Sequence, residues 1–242
     1  MQNTFTAFEK LRAGSVHLFT SFGIVAGFLA LLAISRHEWQ MAALWLGVAQ
    51  IIDGIDGTFA RKWRVKEVLP NWDGESIDYV VDFTTYAVVP AYFMYEAQLF
   101  PPDWALPISA LVLLTSAMYY GKSGMVSDDL CFVGFPVMWN VTAIFVFFVV
   151  HWAQWANAAL VIFLCICHFV PIKFPYPSRG QRLMGLTIAV SVLAVVACTA
   201  LVYQYPAQNS ILQVITIATA LYYWIIGIYN SLVPSRSNGA SK

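Results

Sequence analysis

Residues 183–203 read LMGLTIAVSVLAVVACTALVY and contain no charged side chain. A stretch of roughly 20 apolar residues is long enough, as a helix, to cross the hydrocarbon core of a bilayer. Similar apolar stretches recur along the whole chain. The sequence therefore predicts an all-α fold, a polytopic membrane helical bundle with about eight transmembrane helices. The predicted spans are residues 16–35, 40–60, 76–96, 104–121, 133–151, 154–171, 183–203 and 210–233.

The composition of the 242 residues agrees with a membrane protein. Hydrophobic residues make up 60% and charged residues 11% of the chain, whereas about a quarter of an average soluble domain is charged. The formal net charge is zero, so there is no broad basic surface and we expect no nucleic-acid partner. Residues 2–15 combine apolar side chains with Lys10 and Arg12 and predict a short N-terminal amphipathic helix. We expect one integral membrane domain over residues 1–242.

The positive charges predict the orientation of the spans. With eight spans both termini lie on one side of the membrane, and only Arg36 falls on the other side. Because cytoplasmic loops carry an excess of Lys and Arg, the common side is predicted to be cytoplasmic. The cations on that side are Lys10, Arg12, Arg61, Lys62, Arg64, Lys66, Lys122, Lys173, Arg179, Arg182, Arg236 and Lys242.

Four aspartates lie near the cytoplasmic ends of two neighbouring spans. Asp53 and Asp56 are three residues apart in the second span, and Asp78 and Asp82 are four apart in the third. Each pair shares one helix face, and the short connection allows the two faces to meet. Carboxylates are costly in a membrane and mark a functional site by default. Their combined negative charge needs compensation, which two divalent cations would supply.

Hard carboxylate oxygens favour Mn²⁺ or Mg²⁺ over zinc. Two such ions, about 4 Å apart, can stabilise both oxygens of a phosphoryl displacement. Arg61 follows the first pair by one turn and can neutralise a phosphate. The small residues Gly57, Ala60 and Gly74 would let a nucleotide lie close to the backbone. Asp82, the last of the four and the deeper of the two in its helix, is the candidate base for an attacking hydroxyl.

These residues resemble the signature of the CDP-alcohol phosphotransferase family, D-x2-D-G-x2-A-R-xn-G-x3-D-x3-D. Every fixed position is present, although twelve residues separate Arg61 from Gly74 where most members have about eight. The resemblance implies a membrane enzyme that displaces CMP from a CDP-linked donor with an alcohol. It implies that four aspartates bind two divalent metals, that Asp82 is also the base, and that four residues contact the nucleotide. The metal ligands are Asp53, Asp56, Asp78 and Asp82, and the nucleotide-binding residues are Gly57, Ala60, Arg61 and Gly74.

Further segments, including residues 128–140 and 171–179, are similar to the bacterial phosphatidylcholine synthase subfamily. That subfamily implies CDP-diacylglycerol and choline as substrates. A quaternary ammonium is held by aromatic faces, and 16% of this chain is aromatic. Lys173 and Arg179 are candidates for holding a phosphate or an anionic lipid headgroup, although both also fit a plain excess of cytoplasmic cations. The candidate choline-binding residues are Tyr79, Tyr86, Trp139 and Tyr176.

Three alternatives stay open at this stage. Another phosphatidyltransferase of the same type would use serine, glycerol phosphate or inositol phosphate, and its acceptor pocket would need a cation. A divalent-cation transporter would more often place its acidic site at the midplane, between broken helices or inverted repeats. A purely structural protein would gain nothing from clustered carboxylates. A homodimer is expected by analogy with related enzymes alone.

Overall fold

The computed structural model describes residues 5–176 and 183–233, and most of them are helical. Two π-helical segments interrupt the α-helices: Phe83–Val88 joins α4 to α5 without a break, and Phe145–Val150 continues α7. The helices are α1 (Ala7–Ser35), α2 (Trp39–Lys62), α3 (Val65–Val68), α4 (Gly74–Asp82), α5 (Val89–Glu96), α6 (Pro102–Tyr120), α7 (Trp139–Ile144), α8 (Gln154–Cys167), α9 (Met184–Gln204) and α10 (Ser210–Leu232).

Each of the eight predicted spans contains a helical run, but the spans predicted over 133–151 and 154–171 are helical only over Trp139–Val150 and Gln154–Cys167. Among the described residues, three single helices are long and apolar enough to cross a membrane: α1, α9 and α10. Large apolar side chains such as Val192 and Val195 on α9 are exposed, and a helix that is apolar on its outer surface suits a lipid environment. The chain is therefore an all-α integral membrane protein, while the count of eight spans stays a prediction.

The separate N-terminal amphipathic helix predicted over residues 2–15 is wrong for the part that the structure describes. Ala7–Ser35 is one uninterrupted helix. Thr6 begins it with a capping box, in which its side chain accepts from the Glu9 backbone and the Glu9 side chain accepts from the Thr6 backbone. Neither a proline nor a second cap follows before Ser35, so nothing in the sequence ends the helix at the membrane surface.

The described residues form two compact units. The first contains the chain up to Ala97 together with Met138–Ala143, and the second contains Gln98–Val137 together with the chain from Ile144 onward. All four motif aspartates belong to the first unit.

Helix α1 packs against α2, α4 and α5 in the first unit. Its buried face consists largely of small residues, which let neighbouring helices approach closely. Gly23 shows this most clearly, because a Cβ atom there would lie 2.6 Å from Val81 Cγ1 on α4. At Gly27 a Cβ atom would lie 3.2 Å from Thr85 Cγ2. The position of α4 therefore depends on Gly23, and that of the π-helical segment after it depends on Gly27.

The connection between α2 and α4 is folded rather than loose. Helix α3 places Val65 and Val68 in a buried apolar cluster with Ala13 and Val16 of α1. The cluster packs the connection between α2 and α4 against α1. The connection is therefore a packed segment, although it is longer than in most members of the family that the signature resembles.

In the second unit, two three-residue strands interrupt the otherwise helical fold. Strands β1 (Cys131–Val133) and β2 (Lys173–Pro175) pair antiparallel, with Phe132 opposite Phe174. Helix α10 packs against β2 and α9, and α6 packs against α8. Gly134 follows β1 with φ of 95°, and a Cβ atom there would lie 2.1 Å from the His168 carbonyl oxygen. Only glycine allows the end of β1 to approach α8 so closely.

Candidate active site

Three of the four motif carboxylates converge between α2 and α4. Asp53, Asp78 and Asp82 each offer one oxygen, and these three oxygens lie within 4.8 Å of one another. All three residues are partly buried. The spacing of four residues puts Asp78 and Asp82 on the same face of α4, and that face is turned toward Asp53.

Asp56 takes a different partner. It is 6% exposed, and its Oδ2 accepts a hydrogen bond of 2.7 Å from Thr20 Oγ1 on α1. Thr20 is itself buried. The two α2 carboxylates therefore have separate surroundings, although they are only three residues apart.

Hydrogen bonding also distinguishes the members of the three-carboxylate cluster. The Tyr86 hydroxyl donates a hydrogen bond of 2.8 Å to Asp53 Oδ2. Asp82 Oδ1 is buried and has no hydrogen-bond partner among the described residues. A buried polar atom that lacks a partner is uncommon in proteins and indicates a site for an ion, a water molecule or a substrate group.

The donor set fits a divalent cation. It consists of carboxylate oxygens alone, the ligands that Mg²⁺ and Mn²⁺ prefer. Uncompensated buried charge is strongly unfavourable, yet no salt bridge within the described residues reaches these aspartates. The salt bridges among the described residues join Arg64 to Glu67, Lys66 to Glu75 and Lys173 to Asp129.

An N-terminal cap fixes the start of α4. The Asp73 side chain accepts hydrogen bonds from the backbone N–H groups of Glu75 and Ser76, and the Ser76 hydroxyl donates to it at 2.6 Å. These bonds, first of all the one from the Ser76 hydroxyl, hold the pKa of Asp73 below its ordinary value. Asp73 is exposed and starts the helix that carries two site carboxylates.

Gly74 lies against α1. A Cβ atom there would meet His17 Cε1 at 2.9 Å. The His17 ring stacks near Trp72, with ring centroids 6.0 Å apart. In this structure the missing side chain of Gly74 makes room for a histidine, and the predicted contact of Gly74 with a nucleotide stays a prediction.

The remaining signature residues lie along α2. Gly57 and Ala60 are partly buried, and Ala60 packs against the α1–α3 apolar cluster. Arg61 is exposed, and its guanidinium donates a hydrogen bond of 3.2 Å to Thr58. No salt bridge in the described ranges links Arg61 to a motif aspartate.

Comparison with known proteins decides the family. No protein-family model matches the chain. It is 37% identical to the phosphatidylcholine synthase of Rhizobium meliloti over 94% of each chain. It is also 37% identical to the phosphatidylcholine synthase of Pseudomonas aeruginosa over 93% of this chain and 94% of that one. With the phosphatidylcholine synthase of Bradyrhizobium diazoefficiens it shares 42% identity over 75% of this chain and 67% of the relative.

The chain belongs to the phosphatidylcholine synthase family. This membership supports the resemblance to CDP-alcohol phosphotransferases that the signature indicated. The roles of the individual residues in this family member remain predictions.

The four aromatic residues predicted to hold choline have different surroundings. In the first unit Tyr86 is buried and bonded to Asp53, Trp139 is fully buried, and Tyr79 is 43% exposed. In the second unit Tyr176 stacks on Phe132 with ring centroids 4.9 Å apart. Tyr86 thus makes a direct hydrogen bond to a site carboxylate.

Lys173, a candidate phosphate ligand, is paired within its own unit. Its Nζ donates to both carboxylate oxygens of Asp129, at 3.1 and 2.9 Å. Burial alone would raise the pKa of Asp129, but hydrogen bonds from Ser127 and Lys173 outweigh it and hold that pKa below its ordinary value. The pair therefore ties β2 to the loop before β1. Arg179, the second candidate, lies outside the described residues.

Sequence reasoning missed the part that α1 plays at this site. Thr20 bonds Asp56, His17 fills the space at Gly74, and Gly23 admits Val81. These three residues share one face of the helix. The polar residues in an otherwise apolar predicted span were the available signal, since polar side chains in membrane helices usually face a partner.

Proposed function

We propose that this chain is a phosphatidylcholine synthase, which transfers the phosphatidyl group of CDP-diacylglycerol to choline and releases CMP. The observation that carries this proposal is the convergence of Asp53, Asp78 and Asp82 in a chain that matches proteins of that name along almost its whole length. Clustered carboxylates beside a membrane suit the handling of a diphosphate.

The proposed reaction is a phosphoryl displacement. The choline hydroxyl oxygen bonds to the phosphorus that carries diacylglycerol, and the bond from that phosphorus to the oxygen shared with CMP breaks. CMP leaves with that oxygen. Asp82 accepts the hydroxyl proton at Oδ1, the buried oxygen without a partner in the described ranges. A carboxylate held close to the attacking hydroxyl is suited to this transfer.

Four carboxylates would hold two divalent cations, Mn²⁺ or Mg²⁺. When bound, such ions supply positive charge that stabilises the phosphate oxygens and the leaving group. Asp53, Asp78 and Asp82 are the central candidates because their oxygens already lie together. Asp56, held by Thr20, completes the set. Arg61, exposed one turn later, would bind a donor phosphate.

Aromatic rings are the proposed contacts of choline, the acceptor substrate. Choline cannot donate a hydrogen bond from its quaternary nitrogen, so rings are the recognition elements available to it. Tyr86 and Tyr79 are the candidates near the carboxylates along the chain, with Trp139 and Tyr176 as further ones. Gly57, Ala60 and Gly74 remain the proposed neighbours of the nucleotide. Lys173 and Arg179 remain proposed contacts of phosphate or lipid headgroup.

We further propose the cellular setting. The protein is a single catalytic domain of the bacterial inner membrane, with eight spans. Its termini and its active site face the cytoplasm, where CDP-linked and water-soluble substrates are available. A homodimer is proposed by analogy with related enzymes.

An acceptor panel tests the proposed function. Purified protein in detergent or nanodiscs receives CDP-diacylglycerol with choline, serine, glycerol 3-phosphate or inositol phosphate, and CMP release is measured. We expect release with choline and the formation of phosphatidylcholine. Release with one of the anionic acceptors in place of choline would favour the alternative phosphatidyltransferase. Metal uptake into liposomes without CMP release would favour a transporter.

Chelation tests the metal part separately. We expect EDTA to abolish CMP release and excess Mn²⁺ or Mg²⁺ to restore it, because the carboxylate cluster requires cations before it can accept a diphosphate. EDTA already saturated with Mn²⁺ is the control for effects of the chelator itself. Full activity in thoroughly metal-free buffer would contradict this prediction.

A further inference from the structure

Each carboxylate of α2 is held by a hydroxyl from a different part of the chain. Tyr86, in the π-helical segment after α4, donates to Asp53 Oδ2 at 2.8 Å. Thr20, on α1, donates to Asp56 Oδ2 at 2.7 Å. The signature contains neither residue. Both hydroxyls reach across from a neighbouring helical segment to α2.

Because the groups are buried, loss of either hydrogen bond would be energetically costly. Tyr86 and Thr20 are each 7% exposed and Asp56 is 6% exposed. Water cannot readily replace a hydroxyl at such positions, so a carboxylate oxygen that loses its donor stays without one. Each bond also restricts rotation of the carboxylate, because one of its two oxygens is fixed.

We propose that Tyr86 and Thr20 are positioning residues for a divalent-cation site, acting through Asp53 and Asp56 respectively. The inference deepens the proposed function and rests on it. Groups that hydrogen-bond to metal ligands typically change metal affinity 10–100-fold when they are removed. The hydroxyls thus contribute to metal affinity without touching metal or substrate themselves.

The π-helical backbone around Tyr86 accompanies the contact of its hydroxyl with α2. Asp78, Asp82 and Tyr86 follow one another at intervals of four residues, and the chain turns from α-helix to π-helix at Phe83. Isolated π-helical turns occur frequently at functional sites. Tyr86 therefore lies one turn beyond Asp82, and its hydroxyl bonds Asp53 on α2.

The proposal assigns Tyr86 a role different from choline binding, and one substitution separates the two. Tyr86→Phe removes the hydroxyl and keeps the ring. If the ring holds choline and the hydroxyl does nothing, the Phe variant keeps the wild-type affinity for Mn²⁺. If the hydroxyl positions Asp53, Mn²⁺ affinity falls.

The experiment measures Mn²⁺ binding directly. Purified full-length protein in nanodiscs, without substrates, is titrated with Mn²⁺, and free Mn²⁺ is followed by electron paramagnetic resonance. We expect Tyr86→Phe and Thr20→Val each to raise the Kd for Mn²⁺ by about 10–100-fold. Thr20→Ser, which restores a hydroxyl, should recover most of the affinity.

Matched controls come from buried residues of the second unit. Tyr119→Phe removes a buried hydroxyl that has no partner among the described residues. Thr216→Val removes a buried hydroxyl that bonds the Leu212 carbonyl of its own helix. We expect both to bind Mn²⁺ with wild-type affinity.

Several results would overturn the proposal. They are unchanged Mn²⁺ affinity in Tyr86→Phe and Thr20→Val, equal losses in the controls, or failure of Thr20→Ser to recover affinity. A wild-type protein that binds no Mn²⁺ would overturn it as well. Tight Mn²⁺ binding without choline-dependent CMP release would instead overturn the proposed function and leave the positioning of the carboxylates standing.

Discussion

Asp82 differs from the two α2 carboxylates in what surrounds it. Tyr86 bonds Asp53 and Thr20 bonds Asp56, whereas Asp82 Oδ1 is buried without a partner in the part of the chain that the structure describes. An oxygen that is not occupied by a protein donor can accept a proton from a substrate. This difference supports Asp82 as the proposed base.

Replacing this carboxylate tests the assignment. We expect Asp82→Asn to lower the rate of CMP release by about 10²–10⁴-fold, the usual contribution of a general base, because an amide does not accept the proton. The variant should still purify as a folded protein with the elution volume of the wild type. Asp103→Asn, at an exposed position in the first turn of α6, is the control. Wild-type turnover in Asp82→Asn would remove the base assignment.

Sequence spacing predicted part of the residue-scale picture. Intervals of three and four residues indicated that the aspartates share helix faces, and Asp53, Asp78 and Asp82 do meet. The partner of Asp56 was not predictable, because Thr20 lies 36 residues earlier on another helix. Spacing within a helix says which side chains point the same way. It does not say which neighbouring helix they meet.

At the scale of elements, contact between α1 and α4 depends on the absence of a side chain at Gly23. We expect Gly23→Ala to destabilise the protein by about 1–3 kcal/mol through overpacking, because its Cβ atom would lie 2.6 Å from Val81 Cγ1. Displacement of α4 should also weaken Mn²⁺ binding. Thermal unfolding in detergent and Mn²⁺ titration measure the two effects.

Gly47→Ala on α2 is the matched control, since nothing lies within 4 Å of its added Cβ. An exposed alanine is favoured over glycine in a helix by about 1 kcal/mol, so this variant should be neutral or slightly stabilised. Equal behaviour of the two variants would show that the close approach does not position α4.

The junction between β1 and α8 supplies a second test at this scale. Gly134→Ala combines a left-handed backbone with a Cβ atom 2.1 Å from the His168 carbonyl oxygen. We expect a loss of at least about 3 kcal/mol, the sum of backbone strain and overpacking. Gly124→Ala shares the positive φ but has open space, and should cost only about 1–2 kcal/mol. Similar unfolding temperatures for the two would contradict the clash.

Element boundaries were predicted to within a few residues where apolar runs are long, as for α9 and α10. The π-helical segments were not predicted, because a run such as Phe83–Val88 has no periodicity that distinguishes a π-turn from an α-turn. The break expected near residue 15 was wrong since amphipathic character alone does not end a helix. The cap in this region is the N-cap at Thr6, which begins a helix that continues to Ser35.

At the scale of the whole molecule, the distribution of Lys and Arg gives the proposed topology. Single cysteines at the two termini should react with a membrane-impermeant maleimide only in inverted vesicles. A cysteine in the turn that contains Arg36 should react only in intact spheroplasts, since that turn would lie on the opposite face. The chain should first be freed of its native cysteines, which are Cys131, Cys165, Cys167 and Cys198. Labelling of the termini on opposite faces would exclude an even number of spans.

Apolar content alone predicted the fold class, since a chain this rich in long uncharged stretches has few alternatives to helices. It did not predict the β1–β2 pairing. Three-residue strands are too short to show an alternating pattern, and their register depends on tertiary contacts such as Lys173 with Asp129.

The buried face of α1 has a genetic consequence. His17, Thr20, Gly23 and Gly27 recur every three or four residues and all turn inward. In a library of single substitutions selected for lipid synthesis, tolerance along this helix should oscillate with its pitch. Losses would fall at those four codons, and changes at outward positions such as Leu18 would survive. Inactivating alleles would thus form a second group well upstream of the aspartates, where a search guided by the signature would not look.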